Sequence, residues 1–449
     1  MKKLYQLVFT ILSILVLSAC GGGGGGSSSS GGAPTPTPSN TLTKVMDYQN
    51  EAGITAQVFN TQVGDLNGDG LQDIVVSGWV NEPASYTQTL NHKVPVKILI
   101  QQTDGTLLDK TDSLLGAGNN LIYGSQRILI ADFDNDGKQD IFLGGFQDSP
   151  FKTSNCCTPV GSVMLWNNGQ TFSRSDFADT VWAHAACNFD LRGTGRQDIV
   201  MGASSSTPAY NNSIYTNNGN RSFTLNRTLT TQYISSGGAC SVMKDSATGK
   251  IGIITTNLGY VDANAPGYSA LIKVYDSSFN YLTTIGLPGS EQVGTPTPAP
   301  HDIVNIIQMD LNGDGKLDLV LTDNKTDASN GSFTALINQG NFSFANKTSD
   351  YFASQLSNYN FGYFTSLFNI GGQQSFFVNT NNSSYNFSTT TIWRLITSAF
   401  TTYMAAEMSA AIGSTYIQPS IYQTSNGSIN MLLIKPNNGQ NYSFYTKPL

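Results

Sequence analysis

Three short stretches of this chain place side-chain oxygens at one fixed spacing. DLNGDGLQD (65–73), DFDNDGKQD (132–140) and DLNGDGKLD (310–318) each set Asp or Asn at positions one, three and five, Asp at nine and Gly at six. Carboxylates and carboxamides at alternate positions of a turn, with a glycine to permit the sharp bend, wrap oxygen ligands around a hard cation, and the carbonyl of residue seven adds another. An oxygen-only set favours calcium over zinc or copper. The expected ligands are Asp65, Asn67, Asp69, the Leu71 carbonyl and Asp73; Asp132, Asp134, Asp136, the Lys138 carbonyl and Asp140; and Asp310, Asn312, Asp314, the Lys316 carbonyl and Asp318. About three calcium ions are expected. An EF-hand would need Glu at position twelve and flanking helices, whereas Val76, Leu143 and Leu321 stand there. Without a counter-ion, so many carboxylates in one turn would repel one another.

Each loop leads into an apolar run (DIVVSG, DIFLGG, DLVLTD), so the elements that position the oxygens are strands. A fourth copy, DLRGTGRQDIVMGA (190–203), keeps Asp190 and Asp198 but carries Arg192 and Thr194 at ligand positions. No calcium is expected there, and the Arg192 guanidinium is a candidate to stand in the cation's place. Fainter copies at 244–257, 367–380 and 422–436 bring the count to seven, with starts about 60 residues apart. Downstream of most copies lie a second apolar run, an Asn/Gly turn and a third run, as in SVMLWNNGQTFSRSD and TALINQGNFSFANKT. Each unit therefore reads as four short antiparallel strands, the acidic loop joining the first two. Such a unit cannot bury both faces alone, but seven arranged radially stack face to face.

These repeats resemble the FG-GAP/VCBS repeats, the blades of integrin-alpha-type propellers, over residues from about 41 to 449. The DIVMGA and DIVVSG endings match one half of the family signature, and the Phe-Gly half is mostly missing. The resemblance implies an all-β, seven-bladed propeller of four-stranded antiparallel blades. Blade seven lacks an outer strand at the C-terminal end, and Thr41–Met46 (TLTKVM) is expected to supply it. The one segment with helical character, Thr402–Ile412, falls where blade six needs its outer strand, and a turn of helix is expected there.

Ahead of the repeats, Lys2 and Lys3 precede an apolar run from Leu4 to Leu17 and then Leu17-Ser18-Ala19-Cys20. The run is too short to span a bilayer and ends in small residues, as a secretory signal does. The ending resembles the lipobox of bacterial lipoproteins, which implies removal of residues 1–19 and lipidation of Cys20. Gly21 rather than Asp follows, and by the same resemblance the destination is the outer membrane, on its periplasmic or exposed side. Residues 20–40, Gly/Ser-rich and then Pro-Thr-rich, have no apolar side chain able to build a core and read as a tether spanning ~25 Å as a coil.

The formal net charge is −7. Losing Lys2 and Lys3 takes it to −9, and three calcium ions (+6) would return it to −3, so neither nucleic acid nor an anionic membrane is an expected partner. A monomer held at the membrane only by its lipid is expected. Cys156, Cys157, Cys187 and Cys240 can oxidise in an exported chain. One or two disulfides stapling units two to four, a vicinal Cys156–Cys157 bridge and buried thiols are the alternatives. The histidines, His92, His184 and His301, form no catalytic pattern, although all three map towards the face opposite the acidic loops.

The long connections also map to that face, and they carry aromatics suited to a glycan or protein ligand: Trp79, Tyr86, Phe146, Tyr260, Tyr268 and Tyr385, with His92 beside them. The expected function is a non-enzymatic, calcium-stabilised binding or adhesion module. A polysaccharide- or phospholipid-acting enzyme, or a structural subunit of an envelope complex, is the alternative, since fold alone does not decide function.

Overall fold

The computed structural model describes residues 42–49, 57–80, 93–146, 160–181, 183–203, 213–226, 239–256, 272–278, 280–285, 303–323, 332–352, 360–370, 373–381, 387–396, 399–407, 417–437 and 441–448. The chain divides at Pro38/Ser39, and all described residues belong to the unit Ser39–Leu449.

Among the described residues, seven four-stranded antiparallel sheets and one two-stranded pair, Val94–Pro95 with Leu121–Ile122, make up that unit. From inner to outer strand, blade one is Gln57–Gly64, Asp73–Val80, Lys97–Gln101 and Leu107–Asp109. Blade two is Ser125–Ala131, Asp140–Gly145, Val160–Asn167 and Phe172–Val181, and blade three is Ala183–Phe189, Asp198–Ala203, Ser213–Gly219 and Ser222–Asn226. Blade four is Cys240–Lys244, Ile251–Thr255, Ile272–Asp276 and Tyr281–Ile285. Blade five is Ile303–Met309, Asp318–Asp323, Ser332–Gly340 and Ser343–Asn346. Blade six is Asn360–Ile370, Gln373–Asn381, Phe387–Ile396 and Ala399–Glu407. The inner strands pack on one another in chain order, and that of blade seven, Ile417–Gln423, packs on that of blade one, which closes the ring. The architecture is the seven-bladed propeller that the repeats imply.

Alternation along the second strands explains the stacking. Val75 faces blade two, in a cluster with Ile128, Ile141 and Leu143, while Ile74 and Val76 face blade seven, against Leu432, Ile434 and Phe444. In blade two Ile141 and Leu143 turn towards blade one, and Phe142 turns towards Ile199 and Tyr215 of blade three. A strand covered on both faces needs an unbroken apolar run, and DIVV, DIFL, DIVM and DLVL supply it.

Blade seven joins the two ends of the repeat array. Ile417–Gln423, Ile429–Pro436 and Asn441–Pro448 come from the C-terminal end, and Thr43–Gln49 adds the outer strand, running antiparallel from the Thr43–Thr446 pair to the Gln49–Asn441 pair. Its residue Tyr48 is buried among Phe59, Tyr442 and Phe444, with ring centroids 5.2, 6.1 and 5.6 Å away. The strand begins two residues later than the sequence suggests and ends at Gln49.

The helix turn expected within Thr402–Ile412 does not form over 402–407, which belongs to the outer strand Ala399–Glu407 paired with Phe387–Ile396; residues 408–412 lie outside the described residues. Pairing with a neighbouring strand overrides local helix propensity here. Among the described residues the helices are two short turns, Thr111–Leu115 and Thr348–Tyr351, and no helix is long and apolar enough to cross a membrane.

A disulfide joins Cys187 and Cys240 across the inner strands of blades three and four, with Cα atoms 5.8 Å apart. Cys156 and Cys157 lie outside the described residues.

Because Tyr48 fills the seam between the two ends of the array, Tyr48→Ala should lower unfolding stability by about 3 kcal/mol. Urea denaturation checks this, and a loss below about 1 kcal/mol would show that the seam does not depend on the N-terminal strand.

Candidate metal centre

Each acidic loop connects the inner strand of a blade to its second strand, so the loops of blades one, two and five leave their blades at equivalent positions. Their backbones are alike. Gly68 and Gly70 (φ 79° and 82°), Asn135 and Gly137 (62° and 86°), and Gly313 and Gly315 (74° and 81°) take left-handed conformations at positions four and six. Glycine or asparagine is what such positions accept.

The position-one carboxylate gathers the N–H groups of the turn. Asp65 accepts from Gly68, Asp69 and Gly70 at 2.7–3.2 Å, and Asp310 accepts from Gly313, Asp314 and Gly315 at 2.8–3.1 Å. Asp132 accepts from Asp136 (3.1 Å) and Gly137 (2.9 Å). Position five then fixes the peptide of residue seven, since Leu71, Lys138 and Lys316 donate their N–H groups to Asp69, Asp136 and Asp314. In loop two, oxygens of Asp132, Asp134 and Asp136 all lie within 4.8 Å of one another, and all donors there are oxygen, the set a hard divalent cation takes.

Position nine does a second job. Asp73 accepts the N–H of Leu66 on one oxygen (2.8 Å) and that of Gln101 on the other (2.8 Å). Asp140 does the same with Phe133 and Asn167, and Asp318 with Leu311 and Asn338. All three side chains are buried. A carboxylate oxygen has two lone pairs, so this bracing leaves each Asp able to face a cation as well. Burial, with the neighbouring loop aspartates adding to it against the backbone hydrogen bonds, pushes Asp73 up to about 6 and Asp140 up to about 7, and raises Asp318.

The braced N–H on the third strand belongs to a residue that sequence reasoning missed. Asn167 Nδ2 donates to the Gln139 carbonyl of its own loop (3.1 Å) and to the Leu66 carbonyl in the loop of blade one (2.7 Å). Asn217 repeats this with Gln197 (3.1 Å) and with Phe133 of blade two (2.7 Å), and Gln101 with Gln72 (2.8 Å) and with Gln423 of blade seven (3.0 Å). One carboxamide thus ties the loop of its own blade to the loop of the preceding one. The signal was present as Asn-x-Gly in WNNGQ and TNNGN, where the Asn oxygen also accepts the glycine N–H at 2.8–2.9 Å; Asn338 of INQGN shares the turn and donates to Leu317 of its own loop at 3.0 Å.

Loop three keeps this backbone and changes the chemistry. Gly193 and Gly195 retain positive φ, and Asp190 still accepts from Thr194 and Gly195. The Arg192 guanidinium contacts both oxygens of buried Asp198 (3.0 and 3.2 Å) and donates to the Asn217 carbonyl (2.5 Å). In blade four, Asp245 accepts from Thr248 of its own turn and from the Asn341 N–H of blade five. In blade six the inner strand ends at Ile370 and the second begins at Gln373, paired directly, so only Gly371 and Gly372 stand between them where the other units have a loop.

A family model described as FG-GAP-like repeat matches residues 65–143, from the first ligand of loop one into the second strand of blade two. That region is similar to an FG-GAP-like repeat. No curated protein matches the chain. The matched FG-GAP-like segment holds two of the three acidic loops, including the convergent Asp132, Asp134 and Asp136.

Two of the aromatics expected on the opposite face, Trp79 and Phe146, are core residues instead. Trp79 and Phe146 are 5% and 1% exposed and pack edge to face, with centroids 5.2 Å apart. They close the ends of second strands in blades one and two, where burial gains more than solvent contact would. Phe146 also meets the His184 ring at 4.9 Å. Burial and the nearby Arg127 push His184 down to about 3, which keeps this imidazole neutral. Tyr86, His92, Tyr260, Tyr268, Tyr385 and His301 lie outside the described residues.

Asn217→Ala removes both inter-loop hydrogen bonds from a fully buried site and strands two carbonyls. The expected loss is about 2–3 kcal/mol in chemical denaturation. A loss under about 0.5 kcal/mol would show that the carboxamide bridge carries no stability.

Proposed function

We propose that this chain is a calcium-braced binding module, a propeller that presents a ligand surface while being tethered to the outer membrane through lipidated Cys20. The observation that carries the calcium part is the convergence of Asp132, Asp134 and Asp136 on a backbone that blades one and five repeat. The ions would be held by Asp65, Asn67, Asp69 and Asp73; by Asp132, Asp134, Asp136 and Asp140; and by Asp310, Asn312, Asp314 and Asp318, with the carbonyls of Leu71, Lys138 and Lys316. When bound, a cation offsets carboxylates that would otherwise repel across each turn. The FG-GAP-like match supports a propeller-type binding or adhesion role. The long connections between described strands, with Tyr86, Tyr260, Tyr268 and Tyr385, are where we assign a glycan or protein ligand.

Metal counting by native mass spectrometry should find three calcium ions. Each site held tenfold above its dissociation constant adds about 1.4 kcal/mol. The pH dependence has a definite sign. In metal-free protein Asp73 and Asp140 sit above their unfolded value, so the stability linked to their protonation is present below about pH 4 and is lost as pH rises through about 6–7. A cation needs the same groups deprotonated, so the gap in melting temperature between calcium and chelator should widen from pH 5 to pH 8. Zinc in place of calcium, or a gap that narrows over that range, would reject the site assignment.

For the ligand, a glycan array on calcium-loaded protein is the first measurement. Combined Tyr86→Ala and Tyr260→Ala should abolish any hit while leaving the melting temperature within a few degrees. Survival of the hit, with loss on Asp314→Ala at unchanged stability, would move the working surface to the calcium face.

A further inference from the structure

Loop two differs from its sisters in carrying a fourth carboxylate. Asp134 stands where loops one and five have Asn67 and Asn312, and it is almost wholly enclosed, its side chain 9% exposed. A cation from the neighbouring blade meets it. Arg221, at the turn between the third and outer strands of blade three, donates from Nε to Asp134 Oδ2 at 2.7 Å. The same guanidinium donates to Asn168 Oδ1 (2.7 Å) and Ser173 Oγ (3.3 Å) and lies over the Trp166 ring, 5.5 Å from its centroid, all in blade two. Planar stacking plus several directed donors is what an arginine supplies and a lysine does not.

The backbone supports a selected role for this contact. Asn220 and Arg221 have φ of 53° and 58°, the tight hairpin geometry with both central residues left-handed. Glycine would fill the second position with less strain than arginine. The equivalent turn of blade five, Asn341 and Phe342, has the same dihedrals (52° and 56°) and also reaches the preceding blade: Phe342 is buried in the core with Ile254 and Val274 of blade four. One turn position therefore serves as a contact to the preceding blade, apolar in one case and charged in the other.

We propose that Arg221 is a charge-compensating residue for loop two. It holds Asp134 in place through one oxygen, leaving the other towards the loop, where it accepts the Asp136 N–H at 3.2 Å. It also offsets the extra carboxylate of loop two, which has four acidic side chains where loop one (Asp65, Asp69, Asp73) and loop five (Asp310, Asp314, Asp318) have three. Cation occupancy of loop two is thereby linked to the seam between blades two and three. This rests on the calcium reading for the linkage, but the ion pair itself is decided without metal.

The test is a double-mutant cycle of Arg221→Gln and Asp134→Asn, read as melting temperature in chelator and in calcium. In chelator each single change should lower the melting temperature by several degrees, and the double variant should fall no further than either single one. In calcium the Arg221→Gln deficit should shrink, because the cation takes over the charge of Asp134. A luminescence titration with terbium should show Arg221→Gln binding a few-fold more tightly than the unmodified protein, since a positive charge has left the site. Additive losses in chelator, no loss for Arg221→Gln, or weaker terbium binding by that variant would each overturn the proposal. If calcium shifts neither the unmodified protein nor any variant, the calcium reading fails, and the cycle in chelator still settles the pair.

Discussion

A blade in this ring has to be attached to its neighbour on a face where the chain turns, and turns leave backbone groups without strand partners. The buried aspartate that opens the second strand meets that need. In blades one, two and five its two oxygens take one N–H from the loop and one from the third strand; in blade three Asp198 takes the third-strand N–H and turns towards Arg192. Opposite it, the third-strand carboxamide of blades one, two and three joins a carbonyl of its own loop to one in the preceding blade. The carboxylate oxygens and the carboxamide N–H groups of this arrangement are paired in low dielectric, where an unpaired group would cost about 1–3 kcal/mol. The loop geometry, the stacking of Val75 or Phe142 against the next blade, and the convergence of carboxylates at the turn all follow from keeping that carboxylate and carboxamide in register.

Much of this was legible in the residues. The period of about 60, the acidic turns and the doubly apolar second strands specify repeated four-stranded units, and the missing outer strand at the C-terminal end points to a partner near Thr43. What the sequence concealed were contacts between units. Asn167 and Asn217 read as turn residues, because Asn-x-Gly is a turn signal in its own right, while their second role needs the preceding blade to be in place. Trp79 and Phe146 read as loop aromatics because they end their strands in sequence, yet the ends of neighbouring blades cover them. Position in a repeat tells which strand a residue belongs to; it does not tell how deeply the next repeat covers it.

The degenerate loops separate what the backbone requires from what the carboxylates add. Blade three holds the same left-handed glycines and the same Asp190 contacts with a guanidinium among its acids, and blade four holds its turn with Asp245 and Thr248. Blade six goes further and pairs its strands up to Ile370 and Gln373. A propeller blade can therefore close this corner with a side-chain cation, with hydrogen bonds alone, or with almost no loop.

The acidic loops are then not a condition of the fold, and their retention in blades one, two and five calls for another cause. Carboxylates gathered at a turn raise one another's proton affinity and destabilise the corner unless something positive meets them. In blade three that is Arg192, and at Asp134 it is Arg221 from the next blade. Lys138 and Lys316 reach the position-five carboxylates Asp136 and Asp314, but both pairs are partly exposed and screened by solvent, and loop one has Leu71 at that position. Among the described residues, the buried ninth-position acids Asp73, Asp140 and Asp318 have N–H groups as their hydrogen-bond partners, and these leave their proton affinity raised. A divalent cation at the turn would meet all three loops alike, and the shared spacing of their oxygens suits such an ion.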